Sequence, residues 1–307
     1  MSVTAPHRKK LLVTGITGLL GSALAKEASL REYLTLGVAR HPEKASVPCD
    51  TLAADVSDPA AVLSLVETFR PDILIHAAAI TSVDRCESEP EAAATVNVGS
   101  TVHLLKALTG RRCRFLFIST DSVFDGKKGN YCEVDPTAPL HTYGRTKLEA
   151  ERAILKSRPD ASIIRTAFYG WNILPDNNSL AEWILCSLQE GKPFKGFVDL
   201  FFSPISSIHL AQLLLDVAEG NSAGVLHLAG SEGCSKYEFA RQLASLFGYP
   251  ESLVVPVENH AVKLRVKRPL NVTLSVAKAQ KVLGRPLPNM IEGLRAFHAL
   301  RQTVEIP

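Results

Sequence analysis

Tyr143 and Lys147 stand four residues apart in the stretch Tyr143-Gly144-Arg145-Thr146-Lys147. On a helix this spacing puts both side chains on one face. A free phenol has a pKa of about 10, too high for easy proton exchange near neutrality. A neighbouring ammonium favours the phenolate and lowers that value. The pair therefore reads as a general acid that protonates a carbonyl oxygen while hydride reaches the carbon. Alone, the spacing also suits an ordinary surface helix. Upstream, the apolar run Arg114–Ser119 leads into Thr120-Asp121-Ser122. A hydroxyl at the carboxyl end of a strand can hydrogen-bond a substrate carbonyl, although Thr120 by itself also suits a turn. Strand, hydroxyl and Tyr-x-x-x-Lys in that order are much harder to meet by chance.

A second chemical element lies near the start of the chain, in Gly15-Ile-Thr17-Gly18-Leu19-Leu20-Gly21. Glycines at these places allow a tight turn and let backbone N–H groups approach a pyrophosphate at a helix N-terminus. Thr17, Leu19 and Leu20 belong to the same candidate cofactor loop. The spacing is G-x-x-G-x-x-G rather than the commoner G-x-G-x-x-G. An NAD site calls for an acidic residue about 20 positions further on, on the ribose hydroxyl. Here Arg40 stands 19 residues after Gly21. A guanidinium favours a 2′-phosphate, so NADP is the preferred cofactor and NAD the alternative. Arg40 is equally a residue type found on any surface. Asp55, followed by Val56, suits a contact to the adenine edge and suits an ordinary turn as well.

These groups need strands and helices in alternation to position them. Strands are predicted at Lys10–Thr14, Leu34–Ala39, Thr51–Ala54, Ile73–Ala77, Arg114–Ser119 and Ser162–Arg165. Helices are predicted at Gly21–Leu30, Ala60–Phe69, Glu89–Leu108 and Tyr143–Lys156. Such alternation predicts an α/β fold, a Rossmann-type doubly wound parallel sheet that binds ligands at the carboxyl ends of its strands. After Arg165 the rhythm loosens. Helices are predicted at Leu180–Gln189, Ile208–Glu219, Ser235–Phe247 and Asn289–Leu300, with a strand at Val225–Ala229. Residues 1–165 read as the NADP-binding domain. Residues 166–307 read as a smaller α/β substrate-binding cap, with some segments returning to the first domain.

Composition narrows the function classes. The 307 residues are 46% hydrophobic and 21% charged, with a formal net charge of +3. That balance supports a substantial globular core and gives no reason to expect nucleic acid as partner. The basic run His7-Arg8-Lys9-Lys10 is short and suits a solvated tail. No apolar run reaches the roughly 18 residues of a membrane span. Cys49, Cys86, Cys113, Cys132, Cys186 and Cys234 are scattered without a C-x-x-C pair, so neither a disulfide framework nor a metal site is expected. Reduced thiols point to a cytoplasmic protein.

The chain resembles the dTDP-4-dehydrorhamnose reductase group of extended short-chain dehydrogenases. The likeness runs through Gly15–Gly21, Arg70–Ala79, Thr81–Pro90, Asn97-Val-Gly-Ser, Ser119–Gly126, Pro139–Lys147, Ile164-Arg-Thr166 and Arg268-Pro-Leu-Asn271. It implies a catalytic triad of Thr120, Tyr143 and Lys147, with Lys147 also holding the nicotinamide ribose. It implies that Ala77, Ala78 and Ala79 line the cofactor and that Asn97 assists a proton relay. Val83 and Phe168 would border the sugar, and Arg268 would reach the diphosphate of a nucleotide-sugar substrate. Arg268 is otherwise one of several basic residues between Lys263 and Arg268. Ser122 replaces a tyrosine common in that group, and Phe168 a tryptophan, so the particular sugar is set by this chain's own cap. The implied reaction is NADPH-dependent reduction of the 4-keto group of a dTDP-linked 6-deoxysugar. Two other readings share these motifs: a nucleotide-sugar epimerase or dehydratase with bound NAD, and a non-catalytic NADP-binding regulatory subunit like methionine adenosyltransferase β. A homodimer is compatible with the sequence.

Overall fold

In the computed structural model, residues 8–174 and 178–303 are described. The first residue of the basic run, His7, and the outer ends of both domain ranges lie outside them. The first half contains strands β1 (Lys10–Thr14), β2 (Leu34–Ala39), β3 (Asp50–Ala53), β4 (Ile73–His76), β5 (Arg114–Ile118) and β6 (Ser162–Arg165). Its helices are α1 (Leu19–Leu30), α2 (Pro59–Phe69), α3 (Val83–Ser88), α4 (Pro90–Ala94), α5 (Ser100–Ala107) and α6 (Thr142–Ser157). The single long helix expected over Glu89–Leu108 is instead α4 and α5 joined through a π-helical turn at Thr95–Gly99. Such wide turns commonly mark functional sites, and this one contains Asn97.

Beyond Arg165 come β7 (Phe168–Tyr169), α7 (Leu180–Gln189), β8 (Phe194–Phe197), β9 (Phe201–Phe202) and β10 (Ile205–Ser206). They are followed by α8 (Ser207–Glu219), β11 (Gly224–His227), β12 (Cys234–Ser235), α9 (Lys236–Leu246), β13 (Val254–Val257), α10 (Ala277–Leu283) and α11 (Met290–Ala299). Ser179 with Glu182, Ser235 with Glu238 and Asn289 with Glu292 form reciprocal capping boxes that start α7, α9 and α11.

Seven strands form one parallel sheet in the order β11-β6-β5-β4-β1-β2-β3. Alternate residues of each strand feed opposite faces. Leu11, Val13, Ile73, Ile75, Leu116 and Ile164 enter one core cluster, whereas Leu12, Leu74, Phe115, Phe117 and Ile163 enter the other. Burial on both sides explains why these strands read as continuous apolar runs. The first cluster continues into the cap, where Phe202, Phe239 and Phe297 belong to the same buried group. β11 pairs in parallel with β6, and α8 packs on α1, so chain beyond Arg165 does return to the sheet. The strand order reverses between β1 and β4, which opens a crevice at their carboxyl ends.

Candidate active site

The crevice begins with the glycine loop. Gly15 has φ +76° and donates its N–H to the Val38 carbonyl at 2.8 Å. A Cβ at Gly15 would lie 2.8 Å from the Ala78 nitrogen, and one at Gly21 would lie 2.6 Å from the Ile16 Cα. The loop therefore lies directly against the chain that leaves β4, and α1 packs directly on the loop. Gly18 is the exposed N-cap of α1, with no side chain to satisfy the first helical N–H groups. Thr17 and Leu19 are half-buried beside it, but the Leu20 side chain is in the core. Leu20 can offer a ligand only its backbone.

Around this loop, Ala77 and Ala78 donate their N–H groups to the Thr14 carbonyl and Oγ1, each at 3.3 Å. Ala79 is half-buried just beyond them. Arg40 is exposed one residue past β2, and no hydrogen bond or ion pair engages it among the described residues. Asp55 accepts the Ser57 N–H at 2.8 Å and so also closes a turn. Val56 is buried, with its side chain in the sheet's second core. A glycine cradle, an unsatisfied helix N-terminus and an unpaired guanidinium at the end of β2 fit a dinucleotide carrying a 2′-phosphate.

At the neighbouring strand ends, Thr120 and Tyr143 come together. Thr120 follows β5 and accepts the Ser122 N–H at 3.1 Å. Its hydroxyl donates to Asp121 Oδ1 at 3.2 Å, and its side chain lies near enough to the Tyr143 phenol to oppose the rise in its pKa. Gly144 lets α6 approach this turn: a Cβ there would run into the Ser122 carbonyl. His141 caps α6 by accepting the Gly144 N–H at 3.2 Å, and its ring stacks on Tyr143. Burial, assisted by the Arg268 charge, pushes His141 down to about 4, so it is a neutral acceptor at pH 7.

Lys147 is on the same helical face, as its spacing predicts, yet the electrostatics differ from the sequence expectation. Burial pushes the Tyr143 phenol well above its ordinary value, against the Thr120 side chain and with the Asp121 charge adding to the rise. No hydrogen bond joins Tyr143 to Lys147 among the described residues. The Lys147 ammonium instead lies 3.8 Å from the Phe117 ring centroid. Burial lowers Lys147 to about 7, opposed by the Glu151 carboxylate one turn further along α6. The reason for the difference is desolvation, which acts against the charged form of both groups. His76 lies near Lys147 and is held neutral mainly by burial, at about 3. It bridges Thr14 Oγ1 at 2.7 Å and Ser100 Oγ at 3.1 Å.

Asn97 accepts the Ile80 N–H at 2.8 Å and donates to the Ile80 carbonyl and Thr146 Oγ1, both at 3.1 Å. It thereby ties the chain after β4 to α6. Val83 is half-buried at the start of α3, and the next residue, Asp84, pairs with Arg268 at 3.1 Å. Arg268 keeps a buried Nη1 with no hydrogen bond. Phe168 is half-buried in β7, two residues beyond Thr166, whose carbonyl accepts the Asp121 N–H at 3.3 Å.

Asp121, His141 and Glu151 are absent from the expected site. Glu151 is four residues beyond Lys147, a legible signal. All six cysteines are free. No helix among the described residues is long and apolar enough to cross a membrane, and no cluster of metal-ligating groups occurs there.

The sequence profile of the RmlD substrate binding domain family matches residues 9–302. The chain is 32% identical to dTDP-4-dehydrorhamnose reductase of Aggregatibacter actinomycetemcomitans, across 90% of this chain and 93% of that protein. It is 31% identical to methionine adenosyltransferase 2 subunit beta of Xenopus laevis, across 93% of this chain and 86% of that one. The crystal structure of dTDP-4-dehydrorhamnose reductase from Bacillus anthracis in complex with NADP superposes with a TM-score of 0.86. That pair shares 24% identity and covers 95% of this chain and 99% of the other.

Proposed function

The chain belongs to the RmlD substrate binding domain family, and on that premise we propose that it is an NADPH-dependent reductase of a nucleotide-linked keto-sugar. The substrate we assign is a dTDP-linked 4-keto-6-deoxysugar. The observation that carries this reading is the placement of Thr120 after β5, the neighbour of β4, with the start of α6 that bears Tyr143 packed against the turn that follows it. Bound NADPH would supply the hydride.

The chain's own residues supply the rest. Thr120 orients the carbonyl oxygen, and Tyr143 gives it a proton. A phenol held above its ordinary value stays protonated at pH 7, the form a proton donor in reduction requires. Lys147, poised near neutrality, would hold the nicotinamide ribose. The loop Gly15–Gly21, with the Leu20 N–H, holds the pyrophosphate, and Arg40 holds the 2′-phosphate. Ala77, Ala78 and Ala79 border the dinucleotide, and Asp55 and the Val56 backbone lie toward its adenine. Asn97 ties Ile80 to α6, and Val83 and Phe168, both half-buried, would border the sugar. Arg268 offers its unpartnered Nη1 to the substrate diphosphate. Residues 1–165 bind cofactor and residues 166–307 form the cap, with α8 and β11 returned to the sheet.

Purified protein is tested for NADPH oxidation with dTDP-linked keto-sugars, and the product is identified. Turnover with retention of the dTDP group supports the assignment; no oxidation with any member of the panel defeats it. The methionine adenosyltransferase 2 β likeness favours a second reading, a regulatory subunit. That reading calls for NADP binding without sugar turnover and for retention of a synthetase catalytic subunit in pulldown.

A further inference from the structure

Ser119, Glu151 and Arg165 each stand beside a residue of the site, and their side chains meet in the core. Ser119 lies between β5 and Thr120, and Glu151 is one turn beyond Lys147 on α6. Arg165 ends β6 and directly precedes Thr166, whose carbonyl accepts the Asp121 N–H at 3.3 Å. Glu151 accepts Arg165 Nε on Oε1 at 3.1 Å and Nη2 on Oε2 at 2.7 Å. Ser119 Oγ donates to the same Oε1. All three residues are buried. The Ser119 N–H adds a backbone tie to the Ile164 carbonyl at 2.7 Å, and the Arg165 guanidinium lies 5.0 Å from the Phe124 ring centroid.

We propose that Ser119, Glu151 and Arg165 are positioning residues that fix Thr120, after β5, against Tyr143 and Lys147, on α6. The reacting groups ride on separate elements, a strand end and a helix. Apolar packing between such elements is non-directional. The guanidinium fork on Glu151 sets both distance and angle, and the Ser119 hydroxyl carries that setting to the residue before Thr120. Stability alone does not account for the network. Desolvation of a buried ion pair offsets much of its attraction, and apolar residues of similar volume often serve as well. Arg165 also keeps a buried Nη1 without a partner, which is a further cost. Geometry is what the network supplies that apolar residues do not. The catalytic consequence rests on the reductase reading; the positioning itself does not.

Ser119→Ala keeps both charges and removes only the side-chain tie to β5. With a keto-sugar it should lower kcat by about 3–10-fold at nearly constant KM, with the midpoints of the pH profile unmoved. Glu151→Leu with Arg165→Met removes the network and leaves no unpaired charge. Its kcat at its best pH should fall by about 10–100-fold, although the protein melts close to wild type. Adding Ser119→Ala to that pair should cost little more, because the hydroxyl has already lost its acceptor. Wild-type kcat in Ser119→Ala or in the apolar pair overturns the proposal, and so do losses that multiply. If the apolar pair does not fold, Ser119→Ala decides alone. Amide hydrogen exchange reads the positioning without turnover. The Ser122 N–H, held by Thr120 Oγ1, and the Phe124 N–H, held by the Asp121 carbonyl, are the reporters. Both should exchange about tenfold faster in Ser119→Ala, with β1 unchanged. Equal exchange in the two proteins overturns the positioning. A wild-type protein without turnover defeats the reductase reading and leaves the exchange to decide.

Discussion

Glu151→Gln perturbs the support beneath Lys147 without changing its volume. Glu151 is 1% exposed and takes two hydrogen bonds from Arg165, at 3.1 Å from Nε and 2.7 Å from Nη2. Ser119 Oγ donates to the same carboxylate. Arg165 is itself 4% exposed, and its Nη1 has no partner. Gln keeps an acceptor for one of these donors but leaves the guanidinium charge buried and uncompensated. Removing one member of a buried pair costs about 3–5 kcal/mol. At about 2 °C per kcal/mol for a chain of this size, the melting temperature should fall by roughly 6–10 °C. The loss also removes the charge that holds Lys147 up against burial. Lys147 then falls below its value of about 7, and any alkaline fall in kcat/KM that it controls moves to lower pH. Thermal unfolding by circular dichroism and a pH–rate profile read the two effects. A melting temperature within about 2 °C of wild type, with an unchanged profile, would refute the reasoning, since buried-pair breakage cannot be that small. Glu151→Leu with Arg165→Met should recover most of the stability, because no unpaired charge remains.

Arg40→Asp should weaken NADPH binding by about 10–100-fold, from the loss of about 1.5–3 kcal/mol in charge-assisted hydrogen bonds, while NADH binding stays or improves. Fluorescence titration measures the ratio, and an unchanged preference would remove Arg40 from the cofactor site. Lys147→Met should abolish turnover yet stabilise the ligand-free protein at pH 7. Lys147 is depressed from 10.5 to about 7, so between those values the folded state binds fewer protons than the unfolded state, and stability rises with pH. The advantage of Met is therefore largest at and below about pH 7 and fades toward pH 10. Urea unfolding across that range checks the sign, and a gain independent of pH contradicts it. Gly21→Ala should weaken dinucleotide binding and cost about 1–3 kcal/mol, because its Cβ meets the Gly15 carbonyl and lies 2.6 Å from the Ile16 Cα. Wild-type affinity in that variant contradicts the close packing of loop and helix.

The first half was legible because its physics is local. Strands buried on both faces give unbroken apolar runs, as in Leu11-Leu12-Val13 and Ile73-Leu74-Ile75, and Gly15 marks a turn that a side chain resists. The cap was less legible. The pairings of β7 with β10 and of β9 with β12 use two residues a strand, too few to show a period. β8 and β13 are longer, but they pair in parallel across some 60 residues of chain. The π turn around Asn97 has no sequence signature and was read as regular helix. Within the site, Tyr143 and Lys147 were found by spacing, but their proton affinities were not. Those depend on burial, which only the packing of α6 against β5 and the turn after it supplies. Glu151 is 32 positions from Ser119 and 14 from Arg165, and only the tertiary fold brings the three together.

The central claim is that the Tyr143 phenol protonates a sugar carbonyl during reduction by NADPH. NADPH oxidation with a dTDP-4-keto-6-deoxysugar, measured for wild type and Tyr143→Phe at matched cofactor saturation, tests it most directly. The account predicts wild-type turnover and a fall in kcat of about 10²–10⁴-fold in the variant, with NADPH affinity preserved. Full turnover by Tyr143→Phe would contradict it.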